Sequence, residues 1–297
     1  MADDAQPSPQ VIPLWPEGPP STIEGVGPET SFHGFGGVSI GTPMLRNISE
    51  PTLTVYRPKG ASNGVGVVVA PGGGWRILAW RHEGVDVAEW LAERGYTAFL
   101  LKYRVMGTPA DPAEFQARSM EEGQRLAAPL PGAKAPRAFK ELVDTPAYRH
   151  ARKVAAEDGR AAIAIVRARA AEFGVQPDKV GMIGFSAGAF LAADIAMDPR
   201  AAPLAFVAPI YGGETQGRPV PADAPPMFTA IAQDDRLLFR VVEQMWCDWS
   251  DADRPAELHI FRRGQHGFGM VRQGQPVDRW IDLFGDFLAD LGYGPAA

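Results

Sequence analysis

The chain has 297 residues, of which 45% are apolar and 22% are charged, values typical of a globular protein rather than a disordered one. Its formal net charge of −6 provides no broad positive field, so neither nucleic acid nor an anionic membrane is an expected partner. The single cysteine, Cys247, excludes a disulfide within the chain and a multi-cysteine metal site. Although the length permits two average domains, α/β folds of ~250–300 residues commonly share one core, and we predict one domain.

No apolar run approaches the ~18 residues that a bilayer span needs, so we expect a soluble protein. The first residues contain no basic group and no apolar run follows them, which indicates no signal peptide. The polar, proline-rich start through Gln10 fits a cytoplasmic protein as well as an exported one whose signal has been removed. The sequence therefore leaves the compartment open.

The first 50 residues combine many glycines and prolines with scattered apolar residues, which predicts an irregular arm laid over the surface. From residue 51 to 297, apolar strand-like runs alternate with stretches of helical spacing. This alternation predicts one α/β domain with a mostly parallel, doubly wound sheet and helices on both faces. Strands are predicted at Thr52–Tyr56, Gly66–Ala70, Tyr96–Tyr103, Val180–Ile183, Leu204–Tyr211, Met227–Ala232 and Glu257–Phe261. Helices are predicted at His82–Arg94, Lys153–Phe173, Leu237–Trp249 and Val277–Leu291.

Residues 105–150 interrupt this alternation, because prolines and charges are frequent there and apolar residues are sparse. Only Glu114–Leu126 and Ala138–Leu142 show a helical pattern. An insertion of this length at the strand ends is where a lid or a pocket wall is expected.

The stretch Gly184-Phe-Ser-Ala-Gly188 lies between an apolar strand and a run of helix formers. A sharp strand-to-helix turn needs glycines on both sides of its apex, because the two backbones approach closely there. Ser186 would then be exposed at the turn, beside the free N–H groups of the following helix. The sequence predicts a nucleophile elbow at this position.

Three glycines follow the buried strand Gly66–Ala70, within Pro71-Gly-Gly-Gly-Trp75. Bare backbone at the end of a strand offers N–H groups that can hold a developing oxyanion. The alternative of a phosphate loop is disfavoured, since no Gly-Lys-Ser/Thr closes the run.

A serine nucleophile needs a base and an acid, and both are expected at the carboxyl ends of later strands. His266 follows the last predicted strand on a glycine-flanked loop and can reach across to Ser186. Asp234 and Asp235 follow the strand before it; we favour Asp235 as the acid, with the other carboxylate capping the next helix. The remaining histidines lie in the arm, at a helix start, among charges and inside a strand: His33, His82, His150 and His259.

His82, at a predicted helix start, has two interpretations. It is either a surface or capping residue, or it orders the glycine loop together with Glu83.

Six motifs together carry a resemblance to a known family. They are Pro71–Trp75, His82–Gly84, Lys102–Arg104, Gly184–Gly188, Ala232–Asp235, and Glu257–Phe261 ahead of His266–Phe268. The chain resembles α/β-hydrolase esterases grouped with acetylxylan esterases and hormone-sensitive-lipase-like enzymes, and Pro13–Pro16 looks like the entry segment of the xylan-esterase-like branch.

The resemblance implies a serine hydrolase in which Ser186 is the nucleophile, Asp235 the acid and His266 the base. It further implies an oxyanion hole of backbone N–H groups from Gly73, Gly74 and Ala187. Two departures stand out: Pro71 replaces the histidine that lipase-like relatives carry before the glycines, and Ala189 stands where a third small glycine is common.

The function expected from these residues is a carboxylesterase that removes small acyl groups, such as acetyl from a xylan fragment or another carbohydrate ester. Trp75, Trp80 and Tyr211 are expected to line the substrate pocket. No metal or cofactor is called for. Two alternatives stay open, a serine peptidase of the same fold and a catalytically silent binding module. The sequence does not indicate an oligomeric state.

Overall fold

The computed structural model describes residues 9–34, 41–127, 144–200 and 203–294, with the side chains of residues 123–127 outside the description. Its strands are β1 (Gln10–Pro13), β2 (Thr30–His33), β3 (Pro43–Arg46), β4 (Thr52–Tyr56), β5 (Gly66–Ala70), β6 (Ile77–Leu78), β7 (Thr97–Lys102), β8 (Val180–Phe185), β9 (Val207–Ile210), β10 (Met227–Ala232) and β11 (Ala256–Phe261). Its α-helices are α1 (Asp86–Glu93), α2 (Pro112–Ala127), α3 (Pro146–Ala168), α4 (Ala170–Phe173), α5 (Ala187–Ala196), α6 (Phe239–Asp251) and α7 (Trp280–Asp290).

Eight strands form the main sheet in the order β1-β4-β7-β5-β8-β9-β10-β11. The six strands from β7 to β11 pair in parallel, whereas β1 and β4 add two antiparallel strands at one edge. The parallel neighbours β5 and β7 are joined through α1, as the strand, helix, strand pattern predicts. The predicted α/β fold with a mostly parallel sheet is confirmed.

Helices cover both faces of the sheet. Val68 of β5 belongs to an apolar cluster that also contains side chains of α3 and α5, while Val67 and Val69 belong to a second cluster that contains side chains of α1 and α7. Successive strand residues point to opposite faces, which explains why every residue of β5 is buried.

The N-terminal arm is more regular than its composition suggests. β1 pairs antiparallel with β4 and thereby joins the main sheet. β2 and β3 pair with each other, and β3 pairs with β6, so these strands form a small second sheet. The prediction of an irregular arm was wrong for these segments. Four-residue strands among glycines and prolines are too short to show a period of two, and their pairing partners are distant in sequence.

The predicted helices Leu237–Trp249 and Val277–Leu291 begin two and three residues later, at Phe239 and Trp280, and two other helix starts differ more. The predicted helix His82–Arg94 opens with a π-helical turn, Arg81–Val85, before α1 begins at Asp86. The predicted helix Lys153–Phe173 begins seven residues earlier, at Pro146, where the side chain of Thr145 accepts a hydrogen bond from the Tyr148 N–H. The cap and the proline at the first helical position were readable signals of this start.

Within residues 105–150, α2 covers the predicted helix Glu114–Leu126. The predicted helix Ala138–Leu142 lies outside the described residues. Phe115 of α2 packs edge-on against Phe32 of β2, with ring centroids 5.0 Å apart, so α2 rests on the small sheet. None of the described helices combines the length and the apolar character that a membrane span requires.

Candidate active site

Four loops meet at the carboxyl ends of the parallel strands. They are the glycine loop after β5 (residues 71–75), the turn into α5 after β8, the loop after β10 and the loop after β11. In an open parallel sheet these loops share one edge, which is where ligands usually bind.

Ser186 lies at the apex of the turn between β8 and α5, with φ 49° and ψ −114°. A non-glycine residue adopts this conformation only when the surrounding structure enforces it. A Cβ on Gly184 would run into the carbonyl of Gly188, and a Cβ on Gly188 would lie 2.6 Å from the carbonyl oxygen of Pro71. Both glycines are therefore required by the close approach of α5 to the sheet.

Ser186, His266 and Asp235 form a continuous chain of contacts. The Ser186 Oγ lies 2.9 Å from His266 Nε2, and His266 Nδ1 lies 2.7 Å from Asp235 Oδ2. Asp235 is buried, whereas the His266 side chain is about 30% exposed. The structure thus brings together the three side chains that the sequence proposed, although they come from loops far apart in the chain.

Of the two adjacent aspartates, Asp235 contacts the imidazole as expected, but the capping role expected for the other carboxylate also falls to Asp235. Asp235 Oδ1 accepts hydrogen bonds from the N–H groups of Leu237 and Leu238, directly before α6, at 2.9 and 3.0 Å. Asp235 therefore contacts the imidazole and also caps the turn, and the expected division of these tasks between two carboxylates was wrong. Asp234 instead accepts from the Gln265 N–H at 2.8 Å and fixes the residue before His266.

The pKa values of the acid and the base move in opposite directions. Burial alone would raise the pKa of Asp235, but the charge and hydrogen bond of His266 and the two N–H donors outweigh burial and lower it. Burial alone would lower the pKa of His266, but the charge and hydrogen bond of Asp235, with a smaller contribution from Glu83, raise it. The pair therefore favours an ionised Asp235 beside an imidazole that readily accepts a proton.

The glycine loop lies directly against the serine. A Cβ on Gly72 would stand 2.8 Å from the Ser186 Cβ and 2.6 Å from the carbonyl oxygen of Phe185. Among the described residues, the N–H groups of Gly73, Gly74 and Ala187 donate to no acceptor. Backbone N–H groups that are left without an acceptor are the kind of donor that can hold a developing oxyanion.

Two of the three expected pocket residues are buried instead. Trp75 is 2% exposed and packs against Phe190, with ring centroids 5.7 Å apart. Tyr211 is fully buried and donates its hydroxyl proton to Glu83 at 2.8 Å. Neither presents a surface to a ligand, because each ring fills the space beneath its loop; only Trp80 is partly exposed.

His82 is buried, not at the surface, so the interpretation as a surface residue was wrong. Its neighbour Glu83 accepts from the Gly72 N–H at 2.7 Å, so the part of the alternative that concerns Glu83 matches the structure. His82 Nε2 lies 3.7 Å from Glu83 Oε1, and the His82 carbonyl contacts the loop after β11 rather than the glycine loop. The roles of Tyr103 and Tyr211 as hydrogen-bonding residues were missed. The only sequence signal was their position at the ends of buried strands.

A cavity of about 260 Å³ is lined by Arg76, two residues after Gly74, and by three charged residues of α2 (Arg118, Glu121 and Glu122). Arg76 forms an ion pair with Glu122, which also accepts from the Tyr148 hydroxyl. No group of three or more metal-ligating side chains occurs within the described ranges.

The sheet order, the strand-to-helix turn at Ser186 and the loops gathered around it define an α/β-hydrolase fold. The sequence profile of the dienelactone hydrolase family matches residues 53–279, and the chain belongs to this family of hydrolases.

Among curated proteins, an acetylxylan esterase of Xylanibacter ruminicola is 24% identical over 285 residues. That alignment covers 84% of this chain but 49% of the relative, so the chain spans about half the length of the protein it matches.

Solved structures share the fold at low sequence identity. An acetyl ester-xyloside bifunctional hydrolase from Caldicellulosiruptor lactoaceticus superimposes with a TM-score of 0.65 at 20% identity, over 98% of this chain and 99% of the other. Thermogutta terrifontis esterase 2, phosphorylated by paraoxon, gives a TM-score of 0.59 at 18% identity, over 98% and 97% of the two chains.

Proposed function

We propose that this protein is a serine carboxylesterase that hydrolyses esters of small acyl groups through an acyl-enzyme. The observation that carries the proposal is the contact chain from the Ser186 hydroxyl through His266 to the buried Asp235. It is supported by backbone N–H groups in the glycine loop and after Ser186 that have no acceptor among the described residues. A serine hydroxyl is a weak nucleophile at neutral pH, and a base held by an anion is the arrangement that activates it.

The proposed reaction has two halves, formation and hydrolysis of the acyl-enzyme, and the same groups act in both. His266 Nε2 takes the Ser186 proton as the oxygen attacks the ester carbonyl, and the N–H groups of Gly73, Gly74 and Ala187 hold the oxyanion. His266 then gives the proton to the departing alcohol. Water repeats the sequence on the acyl-enzyme, and the acid leaves.

Two observations support an acetylated carbohydrate as the substrate, with the sugar alcohol as the leaving group. The curated relative is an acetylxylan esterase and a structural neighbour acts on an acetyl ester and a xyloside, according to their names. In addition, the cavity beside Arg76 is lined by guanidinium and carboxylate groups, which bind sugar hydroxyls well.

The test is hydrolysis of a p-nitrophenyl ester series from acetate to laurate, together with acetate release from acetylated xylo-oligosaccharides. The proposal predicts the highest kcat/KM for acetate or propionate and release of acetate from the sugars. A preference for long acyl chains would contradict the small-acyl part of the proposal. A protein that cleaves peptide anilides but does not hydrolyse the esters would instead be a peptidase.

A further inference from the structure

One peptide bond of the glycine loop is held at both of its polar atoms. The carbonyl of Pro71 accepts from the Tyr103 hydroxyl at 2.7 Å, and the N–H of Gly72, in the same peptide unit, donates to Glu83 Oε2 at 2.7 Å. Tyr103 and Glu83 are both buried, so water does not compete for these bonds. The orientation of this peptide is therefore fixed, and the Gly72 N–H is turned toward Glu83, which leaves the next two N–H groups for an oxyanion.

The second oxygen of Glu83 continues the network to the histidine loop. Glu83 Oε1 accepts from the Tyr211 hydroxyl at 2.8 Å, and the same hydroxyl oxygen accepts from the Gly269 N–H at 3.1 Å. Gly269 lies three residues after His266. The Tyr211 ring also packs edge-on against the His266 imidazole, with centroids 5.4 Å apart. One buried carboxylate thus connects the loop after β5 with the loop after β11.

Two residues of this network, Tyr211 and Glu83, lie in unusual backbone conformations, which are frequent at functional sites. Tyr211 has φ 38°, in the left-handed region that a bulky aromatic residue rarely adopts. Glu83 itself lies in the π-helical turn Arg81–Val85, an irregularity that is frequent at functional sites. The carbonyl of His82 in that turn accepts from the Met270 N–H at 2.8 Å, which adds a second link to the histidine loop.

We propose that Glu83 is a positioning residue that holds the glycine loop and the His266 loop in register through Gly72 and Tyr211. The inference rests on the proposed function of the site. Glu83 touches no reacting atom; it fixes where the oxyanion donors and the general base stand relative to each other. Small displacements of such groups reduce turnover strongly while leaving substrate binding largely unchanged.

Glu83 also contributes to the charge around the base. The titratable groups that face His266 are Asp235 from the loop after β10, the Tyr211 hydroxyl after β9, and Glu83 with its neighbour His82 from the π-helical turn. Because the Glu83 carboxylate raises the pKa of His266, neutralising it should move the acid limb of the pH profile to lower pH.

The experiment compares Glu83→Gln, Tyr211→Phe and the double variant. A glutamine can still accept from Gly72 with its oxygen, but its NH₂ then faces Tyr211, so the proton of the Tyr211 hydroxyl loses its acceptor on residue 83; Tyr211→Phe loses the same hydrogen bond by removing the hydroxyl. Tyr96→Phe is the matched control, since Tyr96 is also buried but lies at the amino end of β7, away from the site. The concentration of active sites is titrated with paraoxon. The free energy of unfolding of each variant is measured by urea denaturation.

The inference predicts that kcat per active site for p-nitrophenyl acetate falls about 10-fold or more in each single variant, with KM changed less than about twofold. The kcat of the double variant should lie within about threefold of that of the less active single variant, because both substitutions remove the same hydrogen bond. Glu83→Gln should also shift the acid limb of kcat/KM to lower pH, and Tyr96→Phe should match the wild type.

Each of three results would overturn the inference. The first is a kcat within about twofold of wild type in the single variants, the second is a loss in the double variant equal to the product of the single losses, and the third is an unshifted acid limb in Glu83→Gln. If Glu83→Gln does not fold, the kcat and KM of Tyr211→Phe decide, since it keeps the packed ring. A wild-type protein that neither reacts with paraoxon nor hydrolyses esters would contradict the proposed function instead, so the two failures are distinct.

Discussion

Asp235 is the most constrained side chain of the site. Its Oδ2 contacts His266 and its Oδ1 accepts two backbone N–H groups, so both carboxylate oxygens are fixed by partners. With 1% of its surface exposed, it is held away from water. This arrangement sets the imidazole tautomer that leaves Nε2 free to accept the Ser186 proton.

The adjacent aspartates provide a matched pair of substitutions. Asp235→Asn should lower kcat by about 10³–10⁴-fold, because the amide presents NH₂ to His266 Nδ1 and favours the wrong tautomer. Asp234→Asn should stay within about threefold of wild type, since the asparagine oxygen can still accept from Gln265. Steady-state kinetics on p-nitrophenyl acetate measures both, and a reversed ranking would reassign the acid.

The pH dependence follows from the sign of the His266 shift. Burial opposes the charged imidazolium, but Asp235 outweighs burial, so the pKa of His266 lies above its ordinary value of about 6.5. Since the base must be neutral to accept a proton, activity is lost as the pH falls through this raised pKa. The acid limb of kcat/KM, followed in a pH-stat with an acetate ester, should have its midpoint above pH 6.5; a lower midpoint would contradict the assignment of His266 as the base.

At the scale of elements, the central unit is β8, the turn at Ser186 and α5. α5 approaches the sheet so closely that Gly188 has no room for a Cβ beside the carbonyl groups of Ala70 and Pro71. Ala187, whose N–H donates to no acceptor among the described residues, lies directly before Gly188. The close packing of α5 on the sheet therefore also fixes the position of one N–H group of the proposed oxyanion site.

Gly188→Ala should test this contact. The added methyl forces α5 away from β5 and the glycine loop, so we expect a loss of about 1–3 kcal/mol in the free energy of unfolding together with a clear fall in kcat. Gly60→Ala is the control, because a Cβ there meets nothing within 4 Å. Urea unfolding and ester hydrolysis report both quantities, and a Gly188→Ala variant as stable and active as Gly60→Ala would refute the contact.

The elements that the sequence predicted well are those with strong local patterns. Buried β-branched runs, the glycine-flanked turn and long amphipathic helices are each visible within a dozen or two residues. The structure contains all of them apart from shifts at their ends and a break at Arg169, which divides the predicted helix Lys153–Phe173 into α3 and α4. β1, β2 and the π-helical turn were not predictable in this way. Each is short, and each has its partners outside its own segment: β1 pairs with β4, β2 pairs with β3, and the Met270 N–H donates to the His82 carbonyl of the π-helical turn.

On the scale of the whole molecule, a buried ion pair joins the arm to the domain. Arg104, after β7, contacts Asp158 of α3 through its side chain and its backbone N–H, and the indole N–H of Trp15 donates to the same carboxylate at 2.7 Å. A further Arg104 nitrogen donates to the carbonyl of Ser21. Arm, sheet and helix therefore share one buried carboxylate.

Asp158→Ala should destabilise the protein by about 3 kcal/mol, because the buried Arg104 charge then keeps only the carboxylate of Glu157, which lies 3.6 Å from its guanidinium. Glu243→Ala removes an ion pair with Arg240 on the surface of α6 and should have a much smaller effect. Urea unfolding midpoints of the two variants provide the comparison. Equal midpoints would mean that the buried pair does not hold the arm.

Some residues of the candidate site could be predicted from the sequence and others could not. Ser186, Asp235 and His266 could be chosen because chain order and strand ends are properties of the sequence once the α/β pattern is recognised. The contact of Glu83 with the glycine loop was one of two interpretations of the His82–Glu83 pair, but the link to Tyr211 could not be predicted, since it depends on how β9 and the π-helical turn pack in space. For the same reason, Trp75 and Tyr211 were expected at a pocket surface but lie beneath it.

The most direct test of the proposed chemistry is the covalent reaction of the protein with paraoxon, followed by mass spectrometry of its peptides. If Ser186 is activated by His266, one diethylphosphoryl group should appear per chain, on the peptide that contains Ser186. The adduct should be absent in Ser186→Ala and should form far more slowly in His266→Ala. An unmodified wild-type protein, or an adduct on a residue other than Ser186, would contradict the account.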